Sequence, residues 1–105
     1  MTKRYENKKH SEHIHTFECR LAGPGCDGPI VAHHLMKPWS GIRGMGRKSG
    51  DENLIPLCDG HHKALHAHGN ELKFFEEIAG REFYGKLCAQ HLWLQSPHYE
   101  KDIYE

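Results

Sequence analysis

The sequence predicts a small α+β domain stapled by metal: a strand pair, a helix directly after it, and two further helices toward the C-terminus. Three features lead there. Two short apolar runs, PIVAHHLMK (29–37) and NLIPLC (53–58), flank a Gly-rich stretch and read as strands. The segments that follow carry helical spacing. Four Cys and eleven His among 105 residues supply many more metal-ligating groups than packing needs. Only 37% of the chain is hydrophobic, and a single domain of this length buries a modest fraction of its surface. A structural metal is the expected supplement.

Taken in order, residues 1–12 are polar and aperiodic, which predicts a flexible arm, and HIHTFEC (13–19) alternates loosely like a short strand. Cys19 to Gly28 is a knuckle, with two Cys around Gly23-Pro24-Gly25 where the chain must turn tightly. In the first strand, β-branched Ile30 and Val31 precede the pair His33–His34. Residues 38–52, PWSGIRGMGRKSGDE, form an irregular loop with Arg43, Arg47 and Lys48. Pro56 places the second strand at an edge or a strand end. Asp59 is a candidate N-cap for a helix over 60–68, stopped by Gly69-Asn70. Leu72, Phe75, Ile78 and Ala79 predict one amphipathic helix over 71–79. Phe83, Leu87, Cys88, His91, Leu92 and Leu94 predict another over 81–95, the two separated at Gly80. Residues 97–105 have no period and read as a frayed tail, so the folded domain is expected to span 13–96.

The net charge is zero, but it is unevenly placed. Residues 1–50 hold nine Lys/Arg against four Asp/Glu, and residues 51–105 hold five against ten. The basic half contains the Gly-rich loop that a nucleic-acid backbone would meet, and the acidic half reads as a helical buttress. No leader-like segment opens the chain and no apolar run approaches a membrane span. A reducing cytoplasm is therefore expected, where clustered Cys and His bind metal more often than they form disulfides.

The chemistry concentrates in NLIPLCDGHHKALH (53–66) and the histidine pair before it. His62 and His66 are four apart, so on a helix they share a face and can aim two imidazoles at one ion. His33 and His34 can add a further ligand and a general base, since an imidazole titrates near working pH. Hydrolysis of a phosphodiester needs an activated water, charge stabilisation and help for the leaving oxygen. One divalent ion can serve the last two roles. The remaining histidines, His10, His13, His15, His68 and His98, read as ordinary polar side chains.

His, then Asn53, then His-x3-His around a strand–turn–helix resembles the HNH (ββα-metal) endonucleases. The likeness is most detailed to short phage and prophage members, including the Ref-like recombination nucleases. It rests on Ala32-His33, GMGRKSGD (44–51) and PLCDGHHKALH (56–66), and it covers about residues 19–75. It implies a ββα core over about 29–68, and it implies that His62 and His66 are metal ligands. One of His33 and His34 would be the base, and Asn53 would hold that base through the backbone near it. HHLMKPWS resembles the start of the colicin-type DNase motif, which would make His33 a ligand and His34 the base. Alignment of Ala32 with the Asp of other members would instead make His33 the base.

Cys19, Cys26, Cys58 and His61 form two ligand pairs that suit a closed tetrahedral zinc site. Many HNH proteins clamp the hairpin with two Cys pairs, and here His61 stands where the last Cys would be. Cys88 and His91 are a rival pair, although Cys88 lies on an apolar helical face. Lys37, Arg43, Arg47, Lys48 and Lys63 are the candidate DNA contacts, to phosphates and with weak sequence preference. Trp39 can stack on a base or cover the hairpin.

The function expected is metal-dependent hydrolysis of DNA, with structural Zn²⁺ and catalytic Mg²⁺ or Mn²⁺. A phage role, and a homodimer where both strands are cut, would fit. The alternatives are a non-catalytic zinc module on DNA, with His33, His34, His62 and His66 closing a second zinc site, or a nuclease acting on RNA.

Overall fold

Alternating side chains along a two-stranded antiparallel sheet decide which face each functional residue meets. The computed structural model describes residues 5–40 and 49–100. Strand β1 (Ile30–His34) pairs with β2 (Leu54–Cys58) so that His33 lies opposite Ile55 and His34 opposite Leu54. Around them are α1 (Lys8–Ile14), a 3-10 turn (Asp51–Asn53), α2 (Asp59–His68), α3 (Glu71–Ala79) and α4 (Tyr84–Leu94). The class is α+β, as the sequence predicts. Among the described residues no helix is long and apolar enough to cross a membrane.

An isolated pair of five-residue strands is marginal in water, and this one is covered on both faces. Ile55 and Leu57 join Leu65, Phe74 and Phe75 in one cluster, which ties the sheet to α2 and α3. Ala32 and Leu54 pack with Ile14 of α1 and Leu92 of α4 on the other side. Every residue of β2 is buried in consequence. Pro56 is tolerated inside it because the ladder bonds fall at odd partners of β1. Leu35 N–H donates to Asn53 O and Asp59 N–H to Pro29 O, so Pro56, opposite Ala32, sits at a position whose N–H would point away from β1. Its outward carbonyl accepts the Arg20 N–H at 3.0 Å, which lays the knuckle along the outer edge of β2.

Several sequence expectations are corrected. Residues 8–14, divided in the reading between a flexible arm and a short strand, form α1. Asn7 caps it by accepting the His10 N–H, and His10 and Ile14 are buried. Only Asn7 as a capping residue and the i, i+4 spacing of His10 and Ile14 hint at it in the sequence. The N-cap of α2 is Cys58, whose Sγ accepts the His61 N–H, while Asp59 opens the helix and pairs with Lys63. The core faces of α3 and α4 match those predicted only in part: Phe75 and Leu92 are buried as expected, and Ala79 and Cys88 pack partly buried against the core. Phe74, Phe75, Ala89, Leu92 and Trp93 are buried, and Ile78, Phe83, Leu87 and Leu94 are exposed. Gly85 makes this possible, since a Cβ there would lie 2.5 Å from the Phe75 ring. The frayed tail is docked up to residue 100. Ser96 Oγ lies 2.9 Å from His10 Nδ1, the Asn7 amide donates to His98 O, and Tyr5 bonds Glu100. Residues 1–4 and 101–105 of the expected arm and tail lie outside the described residues.

His10 has a consequence for acid stability. Burial first, then the nearby His13 and His98, lower its pKa to about 4 against 6.5, with Asp51 opposing. The folded value lies below the unfolded one, so the unfolded chain binds the proton more readily. The stability lost as pH falls from about 6.5 to 4 is on the order of 3 kcal/mol. Urea midpoints measured across that window should fall more steeply for the wild type than for His10→Gln. Loss of the Ser96 bond in the variant shifts its whole curve without steepening it. Parallel slopes would contradict this account.

Candidate metal centres

Two groups of candidate ligands come together around the first two turns of α2, on different sides of the helix. In the first, Cys19 and Cys26 from the knuckle meet Cys58 at the end of β2 and His61 in the first turn of α2. One ligand atom from each lies within 4.8 Å of all the others. His61 Nδ1 is 3.2 Å from Cys58 Sγ, 3.5 Å from Cys26 Sγ and 3.6 Å from Cys19 Sγ. A tetrahedral ion with M–S of about 2.3 Å and M–N of about 2.05 Å would give N···S edges of about 3.6 Å, so the cluster can hold a metal ion. Backbone amides are aimed at the sulfurs: Leu21 N–H at Cys19, and Asp27 and His61 N–H at Cys58.

The electrostatics suit thiolate at Cys58. Burial pushes that thiol up, but the N–H groups of His61 and Asp27, together with the Cys26 and His61 side chains, outweigh it and bring it down to about 6. Burial holds Cys19 up, at about 11. Close contact holds the knuckle in place. Gly60 N–H donates to Asp27 O at 2.8 Å, and a Cβ on Gly60 would stand 2.9 Å from Gly25 O. Cys88 is not part of the cluster; it is half-buried against the core beside Tyr84, and His91 is exposed.

The second group is His33, His62 and His66, again with ligand atoms within 4.8 Å of one another. The Nε2 atoms of His62 and His66 are 3.1 Å apart, and the His33 ring lies 5.2 and 5.6 Å from theirs, centroid to centroid. His33 is buried, His62 half-buried and His66 exposed, so the cluster opens to solvent. His34 does not join it. As the next residue of β1 it points through the opposite face, and its Nε2 is 2.7 Å from Asp51 Oδ1. Asp51 is itself held by the Asn7 N–H on Oδ2 and by its own N–H on Tyr5 O.

Asn53 is fully buried, and its hydrogen bonds go to backbone. Its side chain binds the backbone of Trp39 and Ser40: Oδ1 accepts both N–H groups, at 2.8 and 3.3 Å, and Nδ2 donates to Ser40 O. It therefore anchors the entry to the Gly-rich loop, while its main-chain carbonyl takes the Leu35 N–H next to His34. Trp39 covers the hairpin, with its indole N–H on Glu52 O. Lys37 and Lys63 are exposed, Lys63 paired with Asp59 at 2.8 Å. Arg43, Arg47 and Lys48 lie outside the described residues.

Two carboxylates went unassigned in the sequence reading. Asp51 stands inside the GMGRKSGD motif, which gave it no role. Glu71 stands on the acidic α3, 38 residues from the His33 it touches, and carried no signal of its own.

A profile of the family described as "Protein of unknown function (DUF968)" matches residues 1–89. The chain belongs to the DUF968 family. The matched span holds every ligand of both clusters together with Asp51 and Glu71. A relative, "Uncharacterized protein YdfU" of Escherichia coli (strain K12), is 36% identical over 64 residues, which is 61% of this chain and 17% of that protein. The matched part is thus under a fifth of the relative's length. No solved structure matches this DUF968 chain.

Cobalt is a direct probe of the first cluster. Co²⁺ added to metal-free protein should give intense thiolate-to-cobalt absorption, lost in Cys58→Ser and kept in Cys88→Ser. At roughly 4–8 °C per kcal/mol for a domain of this size, losing even a few kcal/mol of metal-coupled folding energy lowers Tm of Cys58→Ser by more than about 10 °C. Equal spectra and melting for the two variants would rule out the cluster as a metal centre.

Proposed function

We propose that this chain is a metal-dependent endonuclease of the HNH (ββα-metal) kind that hydrolyses DNA phosphodiester bonds. The observation that carries the reading is the open three-imidazole cluster of His33, His62 and His66, with a carboxylate-bound imidazole at the next residue of the same strand. Three protein ligands with a position left over is the pattern of catalytic rather than structural metal sites. The non-catalytic alternative needs His34 as a fourth ligand, and that side chain lies on the other face of β1.

In this reading His33, His62 and His66 hold the ion and His34 is the general base. A divalent ion there supplies Lewis-acid stabilisation to the phosphate and the leaving oxygen. His34 takes a proton from the attacking water. Asp51 orients its ring and stabilises the imidazolium that forms, the general arrangement of a base held by a third group. Because ligand and base leave β1 from opposite faces, the phosphodiester has to lie across the outer edge of β1, the edge not paired with β2. Lys37 and the Arg43–Lys48 stretch are the cations assigned to neighbouring phosphates.

The donor set bears on the metals. Three imidazoles without a carboxylate suit borderline transition ions, whereas Mg²⁺ prefers oxygen. Of the two expected ions Mn²⁺ accepts imidazole more readily than Mg²⁺, though both favour oxygen and the donor set itself suits Zn²⁺, Co²⁺ or Ni²⁺ better still. Zn²⁺ fits the Cys19, Cys26, Cys58 and His61 set. Four free thiols are compatible with the reducing cytoplasm of a bacterial host. A role in phage recombination, and dimerisation for double-strand cutting, extend the same proposal.

The test is nicking of supercoiled plasmid with Mn²⁺, Mg²⁺ or EDTA, alongside a labelled RNA. Wild-type protein should cut DNA with Mn²⁺ and not with EDTA. His34→Ala should lose roughly 10²–10⁴-fold in rate while its Cys-bound metal is retained, and His62→Ala should lose the manganese response. A wild type that cuts neither nucleic acid with any divalent ion would support the non-catalytic module, and preferential RNA cleavage would support a ribonuclease.

A further inference from the structure

The His33 arm of the open cluster ends on a buried group for which the proposed reaction has no use. Glu71 Oε1 is 2.8 Å from His33 Nε2, and both side chains are only 2% exposed. We infer that Glu71 is the positioning residue of this centre: it holds the His33 ring with Nε2–H toward itself and so presents Nδ1 to a divalent transition-metal ion. The inference rests on the proposed reading of the His33, His62 and His66 cluster as a metal site.

The argument is one of donors and acceptors. An ionised carboxylate only accepts. Glu71 Oε1 takes the Met36 N–H at 3.1 Å as well as His33 Nε2, and Oε2 takes the Lys37 N–H at 2.8 Å. Glu71 accepts from two backbone N–H groups, so His33 Nε2 is assigned as its third donor, and a neutral imidazole protonated there has its lone pair on Nδ1. That is the form a metal ligand needs. Glu71 opens α3, where the helix dipole favours negative charge, and both its oxygens are hydrogen-bonded.

A purely structural Glu71 would be satisfied by the two backbone amides, which pin the turn after β1 to α3. The third bond goes to a ligand of the cluster. It also supplies what the cluster lacks, since three neutral imidazoles bring no negative charge to a dication. Carboxylates behind metal-bound histidines tune affinity in this way.

The experiment combines two measurements on the full chain. Nitrogen-15 NMR of the His33 ring in wild-type protein, with the second centre metal-free, should show the Nε2–H tautomer. Mn²⁺ affinity is then compared between wild type and Glu71→Gln, with metal at the Cys cluster counted separately. Gln keeps the size but offers one oxygen and an amide donor, so it cannot receive all three N–H groups. Its Mn²⁺ affinity should fall roughly 10–100-fold, with the metal of the Cys cluster unchanged and the His33 tautomers mixed. An Nδ1–H tautomer in wild type overturns the inference whether or not the variant folds. So does equal Mn²⁺ affinity in the two proteins. A wild type that takes up no ion at the three histidines instead overturns the functional reading beneath it.

Discussion

The fold depends on one convergence, the meeting of Cys19 and Cys26 with Cys58 and His61. Two strands of five residues cannot hold their own register against the entropy of ordering them. The hydrophobic clusters on either face help, but they grip β2 more than the knuckle, whose residues 22–29 are all exposed. The knuckle is fixed by short polar contacts instead. Arg20 closes on Pro56, Gly60 on Asp27, and amides of the knuckle and of α2 point at sulfur. Such an arrangement makes sense around an ion and is costly without one, because it gathers thiols against a helix N-terminus in a small space.

From that clamp the parity of β1 follows, and parity divides the chemistry. Adjacent strand residues point to opposite faces, so His33 and His34 cannot serve one ion from the same side. His33 enters the face covered by α2 and α3, and meets His62, His66 and Glu71 there. His34 enters the face covered by α1 and the 3-10 turn, and meets Asp51. Each imidazole has Nε2 against a carboxylate. The same ring is thereby held twice against a carboxylate, and in the proposed reading the face of the sheet it leaves decides whether it serves as ligand or as base.

Much of this was legible in the chain. The strand pair, the α2 stop at Gly69, the His62–His66 pair and the Cys and His61 group follow from spacing that local structure constrains. The place of His33 beside His62 and His66 came instead from the family resemblance, which left open whether His33 was ligand or base. What was not legible depends on packing at long range. The polarity of residues 5–14 hides α1, because the groups that bury it include a histidine, and its partners Ser96 and Trp93 lie more than eighty residues on. The faces of α3 and α4 were misjudged in part because Ile78, Leu87 and Leu94 look like core, while Gly85 decides which side approaches Phe75. Asn53 was expected to bond backbone near the base, but no local pattern shows that its side-chain amide would clamp residues 39–40. Glu71 and Asp51 could not be found from spacing at all. A carboxylate that acts through another side chain leaves no motif.

The two centres are coupled by the geometry of α2 itself. His61 belongs to one and His62, the next residue, to the other, and successive helical residues diverge by about 100°. An ion held by Cys58 and His61 therefore fixes both the start of α2 and its rotation about its own axis, and with it the direction in which His62 and His66 aim. The clamp does not need to touch the second cluster to control it. Loosening the Cys cluster would let α2 turn, and a rotation of a few tens of degrees would carry Nε2 of His66 several ångströms from His33. The closed centre thus sets the shape of the open one. With an ion held at Cys58 and His61, a chain of 105 residues could keep three imidazoles converged at its surface, because the residue beside one of them would be fixed in place.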